Sequence, residues 1–300
     1  MNVVVIVLDT FRHDIVGDEK KLGFVNTPNL DRFAKNAVSF DEAYGEGQPT
    51  LQVRRAFLTG HRSFPWRYNF DRRGHWHHAP GWHKIPPEQD TIAEVLSSYG
   101  YTTGLISDVY HMFKPTMNYT RGFSSYEFIR GQESDNYRTG SIESIEDLLR
   151  NHVREPIDRT KHANLIQYLW NMRGRASEEE YLCAQVMTRA CNWLEDNAGN
   201  KPFMLWVEAF DPHEPWDPPK RFADSYAPGY QGKDLIMPGA GFEHGPMGAE
   251  EIERTKALYY GEVSFVDEWV GTLLDKIDDS GVAEDTLVAI LSDHGTQVYD

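Results

Sequence analysis

Four short apolar segments, spaced far apart along the 300-residue chain, constrain its fold more than any other feature. Three of them are almost continuously hydrophobic, which is typical of strands buried on both faces of a parallel sheet. Parallel strands need long crossover connections, and helix signals fall between these segments. We therefore predict an α/β fold with a mostly parallel central sheet sandwiched by helices. The predicted strands are residues 3–8, 102–107, 203–208 and 286–292.

Helix-capping patterns stand between the predicted strands. Thr, Ser and Asp are favoured N-cap residues, and Pro is favoured at the first helical position. A Glu three residues after the N-cap completes a capping box. The predicted helices begin at Thr27-Pro28, at Asp90 or Thr91, and at Ser177, and one long or broken helix occupies 249–279.

The stretch from about 110 to 175 differs in texture from the rest of the chain. It is polar and aromatic and lacks the alternation of a strand. We predict an insertion within a single domain over 1–300.

The charge balance narrows the classes of partner. Lys and Arg total 30 against 46 for Asp and Glu, a net charge of −16. That balance disfavours nucleic acid, which needs a basic surface. The longest apolar run near the N-terminus, residues 3–8, is too short to span a membrane and lacks the flanks of a signal peptide. We expect a cytoplasmic protein without a membrane partner.

Acidic and imidazole side chains follow three of the four predicted strands. Asp9 follows the first, Asp211 and His213 the third, and Asp293 and His294 the fourth. In open α/β sheets ligands bind beyond the carboxyl ends of the strands, so these side chains should converge. Two carboxylates with an imidazole can hold a divalent metal ion and leave coordination positions open.

The segment PTLQVRRAFLTG places Thr50 at the start of a predicted helix and Arg54 one turn later on the same face. A helix N-terminus offers free N–H groups and a positive dipole end, which suits an anion. The alternative is that Thr50 only caps the helix and Arg54 is a surface charge.

Several motifs in a shared order resemble the sulfatase family within the alkaline phosphatase superfamily. VVVIVLDT resembles the family's first strand with its metal-binding Asp, and TPNLDRFAKNAVSFDEAY is similar to the next family segment almost residue for residue. TLQVRRAFLTG matches C-x-P-S-R-x-x-x-L-T-G, DPHEPWDPP resembles H-x-P-Y-x-P-P, and ILSDHG resembles the second metal segment. The resemblance spans essentially the whole chain. It extends to members of the family that hydrolyse phosphonates and phosphodiesters.

The resemblance implies a set of site residues. His111 stands near the place of the family's G-K-W-H segment, and we assign it to substrate binding together with Asp211, which alternatively serves a second metal ion. The expected metal ligands are Asp9, Thr50, Asp293 and His294, and the expected catalytic residues are Thr50, Arg54 and His213.

The nucleophile position departs from the family. Sulfatases convert a Cys or Ser there to formylglycine, but the β-carbon of Thr50 already bears a methyl group and cannot become an aldehyde. Thr10 likewise replaces the second Asp of the usual pair. Water can attack a threonyl phosphate at phosphorus, whereas a threonyl sulfate lacks the exit that formylglycine provides. We expect hydrolysis of a phosphate or phosphonate ester. A sulfate ester hydrolase without formylglycine and a degenerate, ligand-binding homologue are the alternatives.

The predicted ligand set favours Mn²⁺ or Zn²⁺ over Ca²⁺, which prefers oxygen ligands. We expect one divalent ion and a small anionic ester as substrate. A second ion and a homo-oligomer remain alternatives. Members of the family usually continue into a C-terminal subdomain, whereas this chain ends six residues after His294. We therefore expect an N-terminal portion that lacks the subdomain.

Overall fold

A computed structural model describes residues 1–17, 20–62, 81–154, 156–238 and 247–298. Its strands are β1 (Asn2–Leu8), β2 (Thr102–Ser107), β3 (Ser125–Phe128), β4 (Phe203–Ala209) and β5 (Thr286–Ser292). They form a five-stranded sheet in the order β3-β2-β4-β1-β5, and every neighbouring pair is parallel. The predicted α/β class is confirmed.

Helices pack on both faces of this sheet. Alternate residues of β1 enter two different cores, because successive side chains of a strand point to opposite faces. Val4 and Ile6 belong to the larger core, and Val5 and Val7 to the smaller. None of the helices in the described ranges is both long and apolar enough to cross a bilayer. The helices are α1 (Pro28–Ala34), α2 (Thr50–Thr59), α3 (Ile92–Ser98), α4 (Glu146–His152), α5 (Ala163–Met172), α6 (Leu182–Asn197), α7 (Lys220–Tyr226) and α8 (Ala249–Asp279).

The capping predictions hold with one shift. Thr91 is the N-cap of α3 in a reciprocal box with Glu94, and α8 is one continuous helix. The Ser177 box, however, closes only the short 3₁₀ helix Glu178–Glu180, and α6 begins at Leu182. Capping chemistry is satisfied by a single turn, so a box alone does not fix which helix follows it.

Two sequence expectations about strands were wrong. The stretch from 110 to 175 does contain a strand, because β3 extends the sheet beside β2. Its residues are mostly exposed at the sheet edge, so they carry little hydrophobic pattern. At the other edge, β5 was predicted to be buried on both faces but is partly exposed, with Leu287 53% accessible.

The register of the sheet places the ends of three strands side by side. Leu8 is the partner of Ala209 on β4 and of Ser292 on β5. Asp9 and Asp293 are the next residues along β1 and β5, so they leave the sheet at the same level. The backbone N–H of Asp9 continues the ladder by donating to Ala209 O at 3.1 Å.

Candidate active site

Two carboxylates and an imidazole meet just beyond β1 and β5. One ligand atom from each of Asp9, Asp293 and His294 lies within 4.8 Å of the other two. The Nε2 atom of His294 is 3.8 Å from Asp9 Oδ1 and 3.6 Å from Asp293 Oδ2. Within the described ranges, this is the only group of three such side chains that could hold a metal ion. The structure thus brings together three of the four predicted ligands as the strand-end argument expected.

Hydrogen bonding leaves this group with unpaired acceptors. His294 Nδ1 lies 2.9 Å from Gly295 O, so we assign the ring proton to Nδ1 and the lone pair to Nε2. Both Nε2 and Asp9 Oδ1 are buried without a hydrogen-bond partner among the residues that the structure describes. Buried polar atoms are seldom left unpaired, and a cation would satisfy both acceptors at once. The donor set therefore fits a divalent metal ion.

The guanidinium of Arg54 joins the same group from helix α2 and is fully buried. Its Nη2 donates to Asp9 Oδ2 at 3.1 Å, and its Nη1 donates to Asp293 Oδ2 at 2.5 Å. Its Nε donates to Glu208 Oε2 at 2.5 Å. All three nitrogens thus have protein acceptors, so the Arg54 guanidinium holds the carboxylates in place, and its catalytic role stays a prediction. The alternative of a surface charge is wrong.

The electrostatics of the cluster call for more positive charge than Arg54 supplies. Asp9, Asp293 and Glu208 bring three carboxylates to one guanidinium, a charge of −2 when all are ionised. Burial, and then the neighbouring Asp293, raises the pKa of Asp9 to about 7. Burial acts on Asp293 as well, but Arg54, His294 and the hydrogen bond from the Thr10 N–H together outweigh it and lower the pKa of Asp293. A single divalent cation would balance the remaining charge, which agrees with the unpaired acceptors.

Thr50 lies beside the cluster at the start of α2. Arg54 Nη1, which binds Asp293, also donates to Thr50 O at 3.2 Å, so the two residues share one donor. The N-cap of α2 is Pro49, and Thr50 is the first helical residue, 3% exposed. The alternative in which Thr50 is merely the cap is therefore wrong. Its roles as nucleophile and metal ligand stay predictions.

His213 lies after β4 on the same edge of the sheet, with its ring 4.3 Å from that of Phe210. Its Nδ1 is 2.7 Å from Glu214 O, which we assign as an Nδ1–H donor. Burial opposes a charge on this ring, but Glu214, Asp9 and Glu133 together raise the pKa of His213 to about 9. The imidazole is therefore protonated at neutral pH, as a proton donor to a leaving group must be.

The two predicted substrate-binding residues lie outside the Asp9 cluster, and His111 adjoins the His213 side of the site through Phe210, whose ring is 6.4 Å from that of His111. His111 Nε2 lies 3.3 Å from Glu133 Oε2, and His111 Nδ1 lies 3.5 Å from Lys114 Nζ. Asp211 accepts hydrogen bonds from Gln132 Nε2 at 2.7 Å and from the backbone N–H of Cys183 at 3.2 Å. Neither belongs to the Asp9 cluster, and their substrate roles stay predictions. Burial raises the pKa of Asp211 to about 6.

The sequence analysis did not identify three charged residues that contact Arg54 or His111. Glu208 interrupts the apolar run FMLWVEAF, and a carboxylate inside a buried strand must find a partner, so a signal was present. Glu133 and Lys114 lie in the stretch treated as an insertion, where nothing in the sequence spacing linked them to His111. The ammonium of Lys114 lies partly inside the protein, and this burial lowers its pKa.

Comparison with known proteins agrees with the motifs. The family model described as "Sulfatase" matches residues 1–300. An arylsulfatase of Clostridium perfringens is 26% identical over 326 residues, covering 100% of this chain and 64% of that protein. Human iduronate 2-sulfatase is 26% identical, covering 98% of this chain and 54% of that protein. This chain thus spans between about half and two thirds of the length of these relatives.

Solved structures show the same fold. The phosphonate monoester hydrolase of Agrobacterium radiobacter superposes with a TM-score of 0.69 at 19% identity, covering 100% of this chain and 63% of that protein. At that identity the likeness speaks for the fold, and the chemistry must be argued from the side chains themselves.

Proposed function

Because the chain belongs to the sulfatase family of the alkaline phosphatase superfamily, we propose that it hydrolyses a small anionic ester with Thr50 as nucleophile. The observation that carries this proposal is the Asp9–Asp293–His294 group, with its two buried carboxylates, its unpaired acceptors and its excess negative charge. Thr50 shares the Arg54 donor with Asp293, so its backbone is fixed against that group.

Asp9, Asp293 and His294 would hold one divalent cation, with the Thr50 hydroxyl as a further oxygen donor. When bound, the cation would serve as a Lewis acid that lowers the pKa of that hydroxyl and offsets charge on the ester. A donor set that mixes imidazole with carboxylate favours Mn²⁺ or Zn²⁺ over Ca²⁺. No formylglycine takes part, because threonine cannot form it.

The proposed reaction has two displacements. Thr50 Oγ attacks phosphorus, losing its proton to solvent, and the bond to the leaving-group oxygen breaks. His213, protonated at neutral pH because of its raised pKa, donates a proton to that oxygen. Water then attacks the threonyl ester and gives a proton to His213, and the Thr50 hydroxyl is restored from solvent. Arg54 acts as a positioning residue that keeps the carboxylates and helix α2 in place.

The choice of phosphorus over sulfur rests on the second displacement. A threonyl phosphate or phosphonate is open to attack by water at phosphorus. A threonyl sulfate would need the same attack at sulfur, which the formylglycine hydrate of sulfatases avoids. Sulfate ester hydrolysis without formylglycine is the second candidate, favoured by the names of the relatives. A ligand-binding homologue without turnover is the third.

The test compares four substrates with added Mn²⁺: nitrophenyl phosphate, bis(nitrophenyl) phosphate, nitrophenyl phenylphosphonate and nitrophenyl sulfate. We expect turnover of a phosphorus ester and accumulation of a phosphothreonine at residue 50 after acid quenching. Thr50→Val, which keeps the shape and removes the hydroxyl, should abolish turnover, whereas Thr50→Ser should retain part of it.

Turnover of the sulfate alone would refute the preference for phosphorus. An unchanged rate in Thr50→Val would refute the nucleophile. A protein without Mn²⁺ affinity or turnover would support the ligand-binding homologue.

A further inference from the structure

Glu208 is a fully buried carboxylate to which no catalytic or metal-binding role has yet been given. It lies on β4, between Val207 and Ala209, in the middle of the sheet. Removing a carboxylate from water is costly unless both oxygens find strong donors. Here both do: Trp206 Nε1 donates to Oε1 at 2.6 Å, and Arg54 Nε donates to Oε2 at 2.5 Å.

The partner of Glu208 is the same guanidinium that contacts the metal-fitting group. The Nε edge of Arg54 faces Glu208, while Nη1 and Nη2 face Asp293 and Asp9. A guanidinium is a rigid planar fork, so a strong bond at Nε fixes the direction of the other two nitrogens. Glu208 thereby limits how far Arg54 can close onto Asp9 and Asp293.

This restraint matters because Arg54 and a cation compete for the same carboxylates. Arg54 already takes Oδ2 of both Asp9 and Asp293. If Glu208 lost its charge, the guanidinium would lose one of its three counter-charges and bind the remaining two more tightly. The cluster would also fall from a charge of −2 to −1, which no longer balances a divalent ion.

We propose that Glu208 is a positioning residue that draws Arg54 away from Asp9 and Asp293 and so keeps these carboxylates available to a divalent cation. The proposal rests on the metal site of the proposed function, but it needs no turnover to be tested.

The test measures Mn²⁺ affinity of the whole chain by calorimetry and by the electron paramagnetic resonance signal of free Mn²⁺. Glu208→Gln keeps the shape and removes the charge, and we expect its affinity to fall by about 10–100-fold, as for other residues behind metal ligands. The control is Asp267→Asn, which changes a buried carboxylate bound to the start of α1. It should lose stability without losing affinity.

A second variant separates competition from simple structural damage. In Glu208→Gln/Arg54→Met the competing guanidinium is gone and the two carboxylates remain, so we expect affinity to recover most of the loss. Native affinity in Glu208→Gln, or a double variant as weak as the single one, would overturn the proposal. A wild-type chain that binds no Mn²⁺ would instead overturn the proposed function and this role with it.

Discussion

Removal of the Arg54 guanidinium should destabilise the fold strongly, because Arg54 is the only cation that the described contacts place among three buried carboxylates. Its side chain is 0% exposed, as are those of Asp9, Glu208 and Asp293. Breaking a buried ion pair by deleting one partner costs about 3–5 kcal/mol, since the other charge is left uncompensated. We therefore expect Arg54→Ala to lose about 3–5 kcal/mol of unfolding free energy in the presence of a chelator.

Urea denaturation at neutral pH measures this loss. Arg150→Ala is the matched control, because Arg150 pairs with Glu146 at 2.6 Å on an exposed helix surface. Such i,i+4 pairs contribute only about 0.3–0.5 kcal/mol. Added Mn²⁺ should restore part of the stability of Arg54→Ala by supplying the missing positive charge. An Arg54→Ala protein as stable as the control variant would refute the conclusion that Arg54 stabilises the three buried carboxylates.

Two further predictions concern protons. Since burial and Asp293 raise the pKa of Asp9 to about 7, a proton competes with the metal ion below that pH. Apparent Mn²⁺ affinity should be full above about pH 7 and fall about tenfold per pH unit below it, as measured by competition with a chromophoric chelator; a flat profile would contradict this. His213→Gln should slow the first displacement, measured as the burst of leaving-group release, by about 100-fold or more for an alkyl ester but much less for a nitrophenyl ester, because only the alkoxide needs a proton. Equal losses in the two burst rates would show that His213 does not act as the acid.

The sheet and the edge that carries Asp9, Asp293 and His294 could be predicted because their signals are local and strong. Continuous apolar runs identify buried strands, and a polar residue directly after such a run is confined to the sheet edge. The pairing of Leu8 with Ser292 then decides that Asp9 and Asp293 meet. That pairing is long-range information, whereas the rule that parallel strands end at one edge predicts only that both side chains lie at the same edge of the sheet.

The parts that escaped prediction depend on tertiary contacts. β3 is short and mostly exposed, so its sequence differs little from that of a loop. The sequence predicts the helix that carries Arg54, but its acceptors lie on β4 and just after β1 and β5, far away in sequence. The association of His111 with Glu133 likewise spans a turn and the whole of β3, and no spacing rule reports it.

The arrangement also explains how the residue at position 50, the proposed nucleophile, could differ while the metal-fitting group is kept. Asp9 and Asp293 are fixed by the register of β1 and β5, and a slip of one residue would turn either side chain to the opposite face. Thr50 lies on a different element, α2. Its backbone oxygen accepts a hydrogen bond from Arg54, one helical turn later, and this bond holds it beside Asp9 and Asp293. Replacing the side chain at position 50 therefore leaves the sheet register and the Arg54 contacts untouched. The two carboxylates and the imidazole are set by the sheet and the proposed attacking atom by one helix, so the residue at position 50 can change while these three groups stay in place.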